Sequence, residues 1–541
     1  MRRSLLLAVA VWGAAGGLWG TWLRAAPPVT TFTLSPRALE LDGLLRHGRD
    51  LETQHRWGEA LAHYEDALRT FPEDIALEQR FELARLHYDL GRRFADRSFC
   101  ETISRLPVEK VLDLYQQILL KVQAHYVDLP AWQDLVDRGT ADLELALQEP
   151  VFLQRYLPER DLSAVEQFRR ELRAALAAQP PVSRGDACTS VALAARLAQA
   201  RLGISPTAVV LEYLSGATNS LDAYSAYLTP DQLTEVYSQI EGNFVGLGVE
   251  LKTQSAALVI VRVITGSPAQ RAGIRAGERI VAVNGRLTQE MSPDQAANQL
   301  QGVEGSLVTL TLAAPGSPPR EVTVRRQRVE VPSVDQAEIL DPVLGIAYLR
   351  LACFQRTTRR DLENLLWRLH AAGMRSLIVD LRGNPGGLLV TAVEVANLFV
   401  DRGIIVSTRG RSPQEDFTYT AHEEGVWRMP LTVLIDQDSA SAAEIFAGAI
   451  RDHHRGVIVG VRSYGKGSVQ GIFPLENSTS GVRLTTAKFY SPSGRPYSRV
   501  GVEPDLLVRQ AARPVDGVLP PKEDAMLAAA LAAARDPARA R

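Results

Sequence analysis

Cysteine is nearly absent: Cys100, Cys188 and Cys353 are the only three in 541 residues. They are odd in number, far apart and without CxxC or metal-ligand spacing, so they read as free buried thiols rather than a disulfide framework. A surplus of one charge is lacking too. Sixty Lys and Arg against 62 Asp and Glu leave a formal net charge of −2, which excludes the basic balance of a general nucleic-acid binder. No HExxH helix is present to hold a catalytic zinc. Beyond the first two dozen residues, no apolar run reaches the ~20 residues needed to cross a hydrocarbon layer. What remains is ordinary globular composition, 46% hydrophobic and 23% charged, in a chain too long for one core; roughly three or four domains are expected.

The first residues are the exception. Met1-Arg2-Arg3 precedes an uncharged run from Ser4 to Leu23, with Trp12, Trp19 and Trp22, that ends at Arg24. Its length suits an uncleaved membrane anchor, while Leu23-Arg24-Ala25 is a weak match to a signal-peptide cleavage site. Residues 1–25 are expected to be one or the other. Either places the rest of the chain outside the cytoplasm, exported to the periplasmic or cell-envelope side.

Residues 37–100 read as helices. Gly48, Ala60, Tyr64, Ala67 and Pro72 have the spacing of one tetratricopeptide-like hairpin, in which small residues let two helices approach and an aromatic fills the gap. A protein partner on this hairpin and simple packing are both open readings. The helical pattern continues through 101–240, with Val111, Leu112, Leu114, Tyr115, Ile118 and Leu119 on one face and a further helix over Val191–Leu202. The segment Leu221-Asp222-Ala223-Tyr224-Ser225 reads as a turn and connector whose Asp and Ser brace backbone.

Composition shifts at Gly242. Short strands with Gly-rich turns follow: Gly248–Leu251, Leu258–Val261, Arg279–Val283 and Leu307–Leu312. A helix from about Pro293 to Leu300, capped by Ser292, interrupts them. With Gly246-Leu247-Gly248-Val249, Gly266-Ser267-Pro268-Ala269, Ala272-Gly273-Ile274, Gly277-Glu278-Arg279-Ile280 and Val283-Asn284-Gly285 in order, residues 241–331 resemble a PDZ domain. The resemblance implies that Gly246 and Gly248 free backbone N–H groups for a terminal carboxylate, around Leu247, while the strand from Val249 pairs with an extended peptide. From 332 to 512, strands at Leu344–Leu351, Ser376–Leu381, Leu431–Ile435 and Val457–Val459 alternate with helices at Thr358–Ala371, Thr391–Val400 and Ala442–Arg451. This is an α/β core with binding expected at strand carboxyl ends. A tail, 513–541, carries a short helix.

Two loops stand at such strand ends. In Asp380-Leu381-Arg382-Gly383-Asn384-Pro385-Gly386-Gly387, adjacent glycines allow exposed N–H groups, the material of an oxyanion hole, or simply a turn that needs glycine. In Asp438-Ser439-Ala440-Ser441-Ala442-Ala443-Glu444, Ser441 and Glu444 have the form of a capping box. The same geometry would place Ser441 and the Ala442 amide at a positive helix end, favourable to an alkoxide. Spacing alone leaves both open. His453 and His454 lie roughly 18 Å further along the same helix, too far for a triad, and read as cations at its C-terminal end. Lys466, in Ser463-Tyr464-Gly465-Lys466-Gly467-Ser468-Val469-Gln470, can act as base only if burial lowers its pKa from ~10.4 toward ~7–8, about 4 kcal/mol of destabilised ammonium. Gln470 would orient it without adding charge. Alone, the loop would read as a solvated lysine among glycines. Gly460-x-x-x-x-Gly465-Lys466 falls short of a P-loop, because Gly467 stands where a Mg²⁺-binding Ser/Thr is required and a strand follows. Ser463-x-x-Lys466 has the letters of a β-lactamase pattern without the helix it needs.

These motifs, with Leu221-Asp222-x-Tyr224-Ser225-x-Tyr227-Leu228, Leu484-Thr485-Thr486-Ala487-Lys488-Phe489-Tyr490-x-Pro492-Ser493-Gly494-Arg495 and Gly501-Val502-Glu503-Pro504-Asp505, resemble the C-terminal processing peptidases in the family's own order. The resemblance implies a multidomain chain: an α/β peptidase core with an inserted β-rich PDZ domain and an N-terminal all-α region, 101–240 being the helical first part of the peptidase. It implies a Ser–Lys dyad of Ser441 and Lys466 oriented by Gln470, oxyanion donors at the Gly387 and Ala442 amides, and neither metal nor nucleotide cofactor. Substrates would be proteins or peptides captured near apolar C-termini by the PDZ groove. Ala443, where the family often has Ser, and the segments before Val108 and from Asp142 to Arg201 depart from the pattern. The rival expectation is an inactive scaffold that holds partners through its PDZ and helical hairpin.

Overall fold

The computed structural model describes residues 36–158, 162–254, 257–288, 296, 299–314, 317–422, 426–509 and 524–536; the apolar N-terminal segment and most of the expected Pro293–Leu300 helix, with its Ser292 cap, lie outside them. Among the described residues no helix is long and apolar enough to cross a membrane. The chain divides into two compact units, 1–88 and 89–541. The division falls inside the helix Ile75–Ala95. The reason is packing: Leu90, Phe94 and Phe99 belong to the core of the second unit.

In the first unit the helices Pro36–Thr53 and Trp57–Thr70 form the expected hairpin. Tyr64 is fully buried in it. Its ring lies so close to Gly48 that a Cβ there would meet it at 2.2 Å. The Tyr64 hydroxyl donates to Glu52 at 2.7 Å, and Glu52 also accepts from Arg80 at 3.0 Å.

The second unit opens with a helical layer from Arg97–Arg105 through Val108–His125, Trp132–Ala146, Leu162–Ala178 and Arg184–Leu202 to Pro206–Asn219. The last of these shows no one-sided apolar stripe because nearly every residue on it is buried, as in a helix enclosed on all sides. It carries Glu212, whose carboxylate accepts from Arg93 at 2.7 Å, while Asp142 accepts from the same Nη2 at 2.9 Å. Burial pushes both acids upward in pKa, against the pull of the guanidinium.

The PDZ strands follow their alternating pattern. Val249–Gln254 is the edge of a six-stranded sheet, and Asn243–Gly246 pairs separately with Gln327–Glu330. The chain enters and leaves this domain at one point, where the Val331 amide donates to the Gly242 carbonyl at 2.9 Å.

The α/β core is a six-stranded sheet in the order Val334–Asp341, Ile346–Leu351, Ser376–Asp380, Leu431–Ile435, Val457–Gly460 and Leu506–Leu507. All neighbours but the first pair run parallel. Strand side chains alternate between faces, and both faces are covered. Leu377, Val379, Leu431 and Val433 enter a core with the helices Thr358–Ala371, Leu389–Asn397 and Ala442–Asp452. Ile378 and Leu434 enter a second core under the C-terminal helix Ala525–Ala534. A second sheet, not foreseen from periodicity, joins Ala226–Leu228, Gly481–Tyr490, Gly403–Gly410 and Phe417–Ala421, with Ser468–Pro474 also on Gly481–Tyr490. The segment after the connector is likewise a helix, Pro230–Glu241, started by a Thr229–Gln232 capping box.

Candidate active site

Three adjacent parallel strands, Ser376–Asp380, Leu431–Ile435 and Val457–Gly460, end side by side. The loops that follow them therefore converge, at the strand carboxyl ends where α/β folds bind ligands.

The first loop is held by Asn384, which is fully buried. Its Nδ2 donates to the Leu351 carbonyl at 2.7 Å, its Oδ1 accepts from the Gly386 amide at 2.8 Å, and its carbonyl accepts from the Ala440 amide at 2.9 Å. The loop thus leans on the serine turn. A Cβ on Gly386 would stand 2.6 Å from the Ser441 Cβ, and one on Gly387 would stand 2.1 Å from the Phe354 carbonyl. Phe354 donates to the Gly386 carbonyl and accepts from the Leu388 amide, both at 2.8 Å, so the Gly387 amide between them is left without an acceptor among the described residues. The Ala442 amide is in the same position.

Behind the loop, Arg382 grips Asp380 through Nε and Nη2 at 2.6 to 3.0 Å and Asp524 through Nη1 at 2.8 and 2.9 Å. All three side chains are buried. Asp524 in turn caps the C-terminal helix by accepting from the Leu527 amide at 2.9 Å. In the sequence, Asp380 and Arg382 stand only as motif letters, and nothing there signals their third partner.

Ser441 caps the helix Ala442–Asp452 with φ 57° and ψ −117°. A non-glycine residue held there carries about 1–3 kcal/mol of backbone strain, which persists where surrounding structure over-determines it. The over-determining group is Glu444. Its buried carboxylate accepts from the Ser441 amide (2.8 Å), the Ser463 hydroxyl (2.6 Å), the Gly465 amide (2.7 Å) and the Lys466 amide (3.1 Å). Burial raises its pKa, and these donors pull the other way. Ser441 and Lys466 bond to the same Oε2, so their amide nitrogens lie no further apart than the sum of those two distances. The capping-box spacing is real, and the cap is also the bracket that brings the lysine loop to the serine.

The Lys466 amine lies over the Tyr224 ring, 4.8 Å from its centroid. Burial, then the Arg483 guanidinium, lower its pKa to about 8 against the Glu444 and Asp222 carboxylates. That is about 3 kcal/mol of disfavoured ammonium. Asp222 braces the connector as its spacing suggests, accepting from the Tyr224 and Ser225 amides at 2.7 Å and the Ser225 hydroxyl at 3.1 Å. Tyr224 and Arg483 were not legible as site residues, because their proximity arises from pairing of Ala226 with Arg483 across distant strands.

Other expected site residues are placed differently. No hydrogen bond joins Gln470 to Lys466 among the described residues; the Gln470 amide donates to Ser468 Oγ at 3.0 Å and Thr485 Oγ1 at 3.5 Å. Gln470 sits on a strand beside a register shift. His453 ends the helix and contacts the Ile404 carbonyl at 2.7 Å, away from the serine. In the PDZ loop, the amides of Leu247 and Gly248 have no acceptor among the described residues. Gly246 instead ends a strand opposite Gln327, and Val249 begins the edge strand. No cluster of side chains able to hold a metal ion exists among the described residues.

A strained serine turn, a lysine of lowered pKa and amides without acceptors among the described residues thus meet on an α/β core. Residues 345–508 match the model of Peptidase family S41, and residues 259–313 match a PDZ domain. The chain is 35% identical over 303 residues to the carboxy-terminal-processing protease of Bartonella bacilliformis, covering 55% of this chain and 69% of that one. It is 32% identical over 293 residues to the carboxyl-terminal-processing protease of Synechocystis sp., covering 53% and 68%. Among solved structures it is similar to a photosystem II D1 C-terminal processing protease, with 25% identity, coverage of 78% and 97% and a TM-score of 0.42. The chain belongs to the carboxyl-terminal-processing proteases of family S41, and it is a serine-type peptidase with a PDZ domain.

Proposed function

We propose that the chain is an endopeptidase working through a Ser441–Lys466 dyad on unfolded protein segments delivered by apolar C-termini. The observation that carries this reading is the shared Glu444 carboxylate, which tethers the serine turn and the lysine loop to one another. The Lys466 amine takes the Ser441 Oγ proton as the Oγ–carbonyl carbon bond forms, and the carbonyl electron pair moves to oxygen. The Gly387 and Ala442 amides receive that oxyanion. Collapse breaks the C–N bond, the amine product leaves with the proton from Lys466, and the acyl-enzyme remains. Water then attacks, giving its proton to Lys466; the carboxylic acid departs and Oγ recovers its proton. Gln470 acts by orienting the lysine after a side-chain rotation away from Ser468.

The Leu247 and Gly248 amides would take a terminal carboxylate, and the edge strand from Val249 the residues before it. The Met1-Arg2-Arg3 start and apolar run to Leu23 support export to the cell-envelope side, with anchoring if the run is retained; the hairpin of 37–88 would hold a protein partner.

The test uses chain lacking residues 1–25 and an unfolded substrate with an apolar tail. Cleavage that disappears in Ser441→Ala and in Lys466→Ala, both with unchanged circular dichroism, is the expected result. Turnover surviving in either variant removes that residue from the chemistry, and inertness of the parent protein with retained peptide binding favours the scaffold.

A further inference from the structure

Among the described residues, Arg483 is the fixed positive charge set against the lysine. Its Nε donates to the Tyr224 carbonyl at 2.8 Å. No ion pair to its guanidinium forms among the described residues. The nearby acid, Asp222, already accepts from the Tyr224 amide, the Ser225 amide and the Ser225 hydroxyl. Arg483 is also fixed in place. It stands within the strand Gly481–Tyr490, paired with Ala226 on one side and Ile472 on the other. The residue it holds, Tyr224, carries the ring on which the Lys466 amine rests.

We propose that Arg483 is a positioning residue for Lys466: it sets the tyrosine ring under the amine, and its fixed charge opposes protonation of that amine. This rests on the reading of Lys466 as the base. The groups facing the amine make such a device necessary. Glu444 from the serine helix and Asp222 from the connector both favour an ammonium. The face of the Tyr224 ring favours it too. Tyr464, from the lysine's own loop, lies beside Tyr224. Arg483 is the opposing charge, and a guanidinium does not lose its proton in the working range.

The experiment is the pH profile of kcat/KM for wild type, Arg483→Gln and Arg483→Lys on an unfolded, fluorescence-quenched protein substrate. Gln can still donate to the Tyr224 carbonyl but is neutral; Lys keeps the charge. The expected result is an acid-side limb displaced to higher pH in the Gln variant, roughly tenfold lower activity at pH 7 for a limb moved by one pH unit, and convergence with wild type above pH ~9.5. The Lys variant keeps the wild-type limb. A Gln profile with its limb unmoved, whatever its height, overturns the proposal, because lost packing lowers a profile without shifting it. The same comparison is made without turnover, by following carbamoylation of Lys466 by cyanate against pH in a Ser441→Ala background using mass spectrometry. A half-point that rises when Arg483→Gln is added supports the proposal, and an unchanged one sinks it. That second readout stands even if Lys466→Ala proves active, an outcome that would instead remove the dyad.

Discussion

Arg382 and Asp524 stand 142 residues apart in the chain and meet in a two-point ion pair of 2.8 and 2.9 Å. The pair joins the tip of the C-terminal helix to the loop that presents the Gly387 amide. Asp524→Ala removes a helix cap and one partner of a buried pair, and is expected to cost about 3–5 kcal/mol in urea unfolding. It should also lower kcat more than it raises KM, since Arg382 sits five residues before Gly387. A variant with intact stability and turnover would show that the C-terminal helix is only an appendage.

Lys466→Met separates stability from activity. The lysine's folded pKa of about 8 lies below the unfolded value near 10.4. Between those values the unfolded chain binds more protons, so wild-type stability rises with pH across that window, and below about 8 the fold bears the whole cost. The methionine variant should be inactive yet more stable by about 1–3 kcal/mol at pH 7, with the difference closing toward pH ~10. Thermal melts at pH 7 and pH 9.5 measure both. In the wild type, kcat/KM should fall as pH drops through about 8, where the amine gains its proton.

Glu444→Gln replaces one carboxylate oxygen by an NH₂ group facing two donors. Whichever way the amide turns, its NH₂ group faces a backbone N–H that it cannot accept from: that of Gly465, or those of Ser441 and Lys466. Each lost charge-assisted bond is worth about 1.5–3 kcal/mol, so kcat should fall at least ~100-fold with the secondary structure retained. Steady-state kinetics beside circular dichroism decide it; near-native turnover would show that the lysine loop needs no bracket.

Arg93→Met leaves Asp142 and Glu212 buried without their cation. The expected cost is about 3–5 kcal/mol, read by chemical denaturation. An Arg93→Met variant as stable as wild type would mean that water reaches the two carboxylates.

Much of this architecture is legible in the chain itself. The apolar run at Ser376–Asp380 announces a strand covered on both faces, and the glycine spacing from 246 to 285 announces the PDZ turns. Ser441 and Lys466 each follow a buried strand, but only the family's motifs in their order single them out. What stays hidden is hidden for physical reasons. Pro206–Asn219 is buried all round and shows no stripe. The strands of the second sheet alternate weakly and acquire their faces only from partners far along the chain. Gln470 sits beside a register shift. Tyr224, Arg483 and Asp524 join the site through long-range pairing, which no local period records.

Gly242 and Val331 share a single hydrogen bond, so everything between them begins and ends at the same spot. A module fastened that way can be excised, exchanged for a reader with another preference, or lost, and the flanking chain rejoined across a short gap. On the proposed reading, selection of what is cut and the act of cutting are then separable traits, able to drift, be swapped or be engineered one without the other.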